Sequence, residues 1–169
     1  MTNMKNILLL GTLSLGVAAA QAAPNPTQYL KLTATTSLVT TTTEGGKSVE
    51  KLSNAEGKGV LPGNVLELGQ KAANISKFNV NKIQLNMPVP AAVTYQSQKC
   101  DSASATAQFS IDGKTYANPL KKTVTVTENG KTVTKEVTVE PSEYKFVRWT
   151  LPTIKAGETV NCAVRVKVK

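Results

Sequence analysis

From Asn161 onward the chain alternates without a break. Cys162, Val164, Val166 and Val168 fall on one side of an extended backbone, and Ala163, Arg165, Lys167 and Lys169 on the other. A period of two places one face on a core and the other in water only if the segment is a β-strand. The pattern returns at Ile83, Leu85 and Met87 against Lys82, Gln84 and Asn86, and at Leu30, Leu32 and Ala34 against Tyr29, Lys31 and Thr33. Each predicts a half-buried strand. After Gly16 no sustained stretch combines the helical apolar period with caps, and the abundance of Thr and Val suits strands. About eight to ten short strands at spacings near ten residues predict an antiparallel β-sandwich.

Turn chemistry divides the strands. Glu44-Gly45-Gly46-Lys47 is a turn signal, and the polar stretch Ser48–Lys58 after it reads as weakly structured. Val60-Leu61-Pro62-Gly63 turns into a strand over Val65–Ala73, and Pro88-Val89-Pro90 stops the Ile83–Met87 strand because proline cannot donate to a ladder. Phe109–Tyr116 reads as a small hairpin around Asp112-Gly113. Asn129-Gly130, between two Val/Thr alternations, is the preferred two-residue hairpin turn. Its register sets Val126 opposite Val133 and Glu128 opposite Lys131, with Lys135 on the valine face. Tyr144–Thr150 is a further strand, in which the single Trp149 reads as core.

The N-terminus has the form of an export signal: Lys5, the apolar run Ile7–Ala20, then Ala20-Gln21-Ala22 as a small-x-small cleavage site. Residues 1–22 are the expected signal peptide and 23–169 a single mature domain, with no membrane-spanning run. Lysine and arginine number 20 against 11 acidic residues, a formal charge of +9. Arg165, Lys167 and Lys169 on the closing strand and Lys121, Lys122, Lys131 and Lys135 in the hairpin would form a basic surface if they lie together. For an exported protein the matching partners are anionic envelope polymers or other surface proteins. Nucleic acid is not expected, because there is no dense Arg cluster and too few aromatics for base stacking.

The chain contains no histidine, so it lacks the usual general base and the commonest metal ligand. Cys100 and Cys162 are its only cysteines. An even count in an exported chain favours a disulfide, worth roughly 4 kcal/mol for a loop of about sixty residues in the chain-entropy model. The alternative, a thiol pair on a metal, needs further ligands that no His or third Cys supplies. Glu140 and Glu143 are close enough in sequence to be weighed as a glycosidase pair, and read better as solvated acids. No cofactor and no catalytic residue is expected. Asn74-Ile75-Ser76 matches a glycosylation sequon.

Two stretches carry a family likeness. One is Leu61-Pro62-Gly63-Asn64-Val65-Leu66-Glu67-Leu68, followed by Asn74-Ile75-Ser76 and Ile83 through Tyr95; the other is Val147-Arg148-Trp149-Thr150-Leu151 with Ile154 through Val160. Together they resemble the bacterial conserved-repeat domain, family eleven among the domains of unknown function. The resemblance covers about Val60–Lys169, with an inserted hairpin region near residues 101–144. Asn86 stands where the family usually has an acid. The resemblance implies an immunoglobulin-like sandwich in the bacterial envelope or on the cell surface, and transfers no catalytic residue. The expected function is a non-enzymatic exported module acting by binding or structural association. The alternative is a periplasmic enzyme or chaperone with its site in the 101–144 insertion, where a concave pocket with convergent polar groups would mark it.

Overall fold

Pairing across turns builds ten strands. In the computed structural model, which describes residues 29–169, these are β1 (Leu30–Glu44), β2 (Lys47–Asn54), β3 (Val65–Asn74), β4 (Val80–Pro88), β5 (Val93–Cys100), β6 (Thr106–Ser110), β7 (Lys121–Glu128), β8 (Lys131–Thr138), β9 (Phe146–Ile154) and β10 (Thr159–Val168). The export signal read over residues 1–22 lies outside the described residues. One sheet has the order β2-β1-β3-β10-β5, the other β4-β9-β6, and β7-β8 stands as a two-stranded sheet of its own. Every pairing is antiparallel.

This is the antiparallel all-β sandwich that the alternation predicts, immunoglobulin-like in its layering. Its connections pass directly between the two layers at β3–β4, β4–β5, β5–β6 and β9–β10, and β6–β7 and β8–β9 lead to and from the separate hairpin. The alternating faces meet in one core. Leu85 and Met87 from β4 and Val147, Trp149, Leu151 and Ile154 from β9 pack against Leu66 and Ala72 from β3 and Val160, Cys162, Val164 and Val166 from β10. Trp149 is 1 % exposed, at the centre. At one end Phe109 stacks on Tyr144 at 4.3 Å, and Tyr95 meets Phe109 edge-on at 5.6 Å. Each fully buried aliphatic side chain stabilises the fold by about 1.5–3 kcal/mol.

The hairpin turn behaves as its sequence dictates. Asn129 and Gly130 take φ of 50° and 75°, and the register pairs Val126 with Val133, Glu128 with Lys131 and Val124 with Lys135. Gly45 and Gly46, also at positive φ, join β1 to β2 in the same way.

Two readings change. Ser48–Lys58 is not weakly structured throughout: Lys47–Asn54 pairs along β1. The N-terminal strand is not half-buried: Leu32 is 54 % exposed, and Ala34 and Thr36 are exposed with it. The cause is the unequal width of the two sheets. β4 packs over β3 and β9 over β10, while β6 meets β5 through Phe109 and Tyr95. β1 and β2 lie beyond β3, on the side away from β10, and of β1 Leu30 and Leu38 are the side chains that pack against the core.

Candidate functional site

The sequence-derived basic residues divide between two places. Arg165, Lys167 and Lys169 lie at the end of β10, in the larger sheet, while Lys121, Lys122, Lys131 and Lys135 lie on the separate β7–β8 hairpin. Most of them already have acidic partners. Arg165 grips both oxygens of Glu50, at 2.8 and 2.7 Å, and its Nε lies 3.2 Å from Glu67. These contacts hold the guanidinium above its ordinary pKa and pull the Glu50 carboxyl below its own. Lys99, on β5, also reaches Glu67, at 2.9 Å. On the hairpin Lys121 pairs with Glu136 at 2.9 Å, Lys135 with Glu128 and Lys122 with Glu143. Lys169 donates to the Ala91 carbonyl at 2.7 Å. Lys131, Lys167 and Lys169 have no ion pair among the described residues.

Cys100 and Cys162 are direct register partners on β5 and β10, with their sulfurs 1.99 Å apart. The pair fastens an edge strand to a central one at the core, because Cys162 lies on the valine face of β10 and is 1 % exposed.

The polar residues that could suggest chemistry have structural partners. Asp112 accepts from the Lys114 and Thr115 N–H groups and the Ser110 hydroxyl, each at 2.8 Å, and these bonds hold its carboxyl down to about 2. Its work is to close the Ser110–Thr115 turn. Glu140 precedes and Glu143 ends a single 3₁₀ turn, Pro141–Glu143, and the Lys122 ammonium keeps Glu143 below the usual carboxylate range. Asn74 is 2 % exposed, so the acceptor side chain of its sequon is buried. Its Nδ2 donates to the carbonyls of Phe78, Ile154 and Lys155, and its Oδ1 accepts from Ser76. Among the described residues no group of three or more Cys, Asp or Glu is placed to hold a metal ion.

Where the inserted region meets the sandwich there is a hollow of about 490 Å³, lined by Val89, Val93, Ile111, Ser142, Tyr144 and Lys169 among others. Burial raises the pKa of the Tyr144 phenol at its wall. Lys145 and Lys169 share this lining with Ser142, and Glu143 is engaged by Lys122.

The sequence reading missed the open flank of the sandwich. β4 is an edge strand, and no strand pairs with its outer side among the described residues. Beside that edge, a hollow of about 270 Å³ lies between Ala34 and Thr36 of β1, Leu68 and Gln70 of β3, and Met87 and Pro88 of β4. Gln70 Oε1 is buried with no hydrogen-bond donor, an omission that costs about 1–3 kcal/mol. A second hollow of about 610 Å³ continues from Thr36 toward Asn54 and Ala55. Large apolar side chains are exposed near the other end of the flank: Leu32 on β1, and Ile75 and Phe78 just before β4. The alternation Leu30, Leu32, Ala34 was the available signal. What it could not tell was whether anything covers that face. No protein-family model, curated protein or solved structure matches the chain.

Proposed function

We propose that the chain is an exported, non-enzymatic module of the bacterial cell envelope or surface that acts by binding or structural association. One observation carries this reading: the larger sheet has two more strands than the smaller one, and among the described residues strand edges are left without partners, a surface suited to adding a strand from elsewhere. Export is supported by the Lys5, Ile7–Ala20, Ala20-Gln21-Ala22 pattern and by the bridged cysteines. The likeness to the conserved-repeat domain points to the same compartment. Of the seven basic residues picked out from the sequence, Lys131, Lys167 and Lys169, which have no ion pair among the described residues, are the remaining candidates for contact with anionic polymers.

The test is to produce the full chain in a bacterium, fractionate the cells and sequence the N-terminus of the recovered protein. The expected result is a chain starting near Ala23 that sediments with isolated envelopes. Recovery in the cytoplasm with Met1–Ala22 attached would overturn the reading.

The hollow beneath Ser142–Lys145 favours the second reading, a periplasmic enzyme or chaperone with a site at the insertion. Suppression of aggregation of an unfolded reporter protein, abolished by Ser142→Trp, would favour it over the first.

A further inference from the structure

We infer that the free edge of β4 and the uncovered face of β1 together form a slot for one extended strand of another protein, apolar at alternate positions and acidic at one end. This rests on the reading of the chain as a binding module and names its site and partner chemistry.

The edge requires a backbone. The bond from Val89 N–H to Lys145 C=O, 2.8 Å, continues the β4–β9 register. Alternate residues from there, Met87, Leu85 and Ile83, therefore turn their main chain toward β9. Gln84 and Asn86 turn theirs toward the free edge. Only an extended segment can meet such a row of donors and acceptors. Its limits are marked. At one end Lys82 leaves strand geometry at φ 56°, opposite Pro152, and at the other Pro88 has no donor to offer.

The floor sets the side chains. Leu32 pairs with the fully buried Ala72, and Ala34 with Gln70, so the row Leu30, Leu32, Ala34, Thr36, Leu38 continues the core face of the sheet into the open. A strand laid on β4 would cover that row with every second side chain. Gln70 Oε1, buried in the hollow at Ala34 and Thr36, is an acceptor still without a donor, and a polar hydrogen of the incoming strand could supply one.

Charge separates this partner from a second copy. β4 carries one charged residue, the exposed Lys82 at its start, and it has no ion pair among the described residues. The chain's own protruding hairpin carries more lysine than acid, so like charges oppose its entry. The edge of β2 is a poorer acceptor, because Lys47, Glu50 and Lys51 line it.

The test uses synthetic peptides of the length of β4, nine residues, with Val or Leu alternating with Thr. One version is flanked by Glu, one by Lys, and one is scrambled. Backbone hydrogen exchange of the mature protein is followed residue by residue. The Glu-flanked alternating peptide should slow exchange at Gln84 and Asn86 at least about tenfold, an affinity step of about 1.4 kcal/mol, and the other two should not. Leu32→Lys, at an exposed site, and Gln84→Pro, which removes an outward donor, should each abolish the protection while leaving thermal unfolding close to that of the parent.

Protection of β2 instead of β4, equal protection by the scrambled peptide, or no protection by any peptide would overturn the slot. So would concentration-dependent protection of Gln84 and Asn86 without peptide, which would make the occupant a second copy. Envelope sedimentation of the same variants separates the two levels. Parent protein that sediments, with both variants sedimenting equally well, overturns the slot and leaves the envelope reading standing; parent protein that fails to sediment overturns the envelope reading itself.

Discussion

Glu67 on β3 meets Arg165 on β10 directly across the ladder, and the same guanidinium reaches over to Glu50 on β2. Arg165 therefore ties three strands of one sheet together, and is not interchangeable with the other cations of its strand. Arg165→Gln would leave the buried Glu67 with Lys99 alone. The expected loss is about 1–3 kcal/mol. Lys167→Gln should stay within about 0.5 kcal/mol of the parent. Urea unfolding of the two variants checks this, and equal midpoints would refute the clamp.

Trp149→Ala should cost about 3–5 kcal/mol, because the ring fills the centre of the core and leaves a large cavity. In the parent protein the indole fluorescence should be blue-shifted and shielded from acrylamide. Free quenching would contradict the burial.

Protein isolated without reductant should gain two mass units on reduction of Cys100–Cys162 and take up alkylating agent only afterwards. Reduction should lower the thermal midpoint, by the equivalent of roughly 2–5 kcal/mol. Free thiols in material taken from the native compartment would rule out a structural bridge.

Asp112 gives an acid-range signature. Its ordinary value is 3.8, and the turn holds it at about 2. A carboxyl depressed by folding adds stability that is complete above its unfolded value and is lost as the pH falls through the folded one. The Asp112 side-chain carbonyl and the Lys114 and Thr115 amides should thus shift together near pH 2 in an NMR titration. Asp112→Asn should remove the transition. A midpoint near 3.8 would mean that the three hydrogen bonds are not formed in solution.

Local chemistry made much of the fold legible. Asn129-Gly130 defined both the turn and the register of β7–β8, since few residue pairs tolerate two positive φ values in succession. The unbroken alternation of β10 marked its valine face, and the place of Cys162 on that face put the cysteine at the core. β2 was obscure for the opposite reason. Ser48–Asn54 has no apolar period, and it is held by main-chain pairing with β1 and by the Glu50–Arg165 contact across 115 residues. The open flank was beyond local reading altogether. Leu32 and Leu85 sit in similar patterns, yet one is 54 % and the other 2 % exposed. Strand order decides between them, and strand order is set by contacts far apart in sequence. The basic residues were recognisable one by one, whereas their neutralisation depends on which acids the folded chain brings alongside.

The position of β10 between β3 and β5 has a bearing on how the molecule comes into being. A nascent chain emerging from its N-terminal end has β3 and β5 in hand long before Thr159–Val168, the strand that joins them. Until then the larger sheet is split, Cys100 has no partner, and the core valines of β10 are missing. Completion of the sheet waits for Thr159–Val168, so premature termination near Gly157 would yield no smaller stable domain but a chain with its apolar faces uncovered, prone to aggregate or to be degraded.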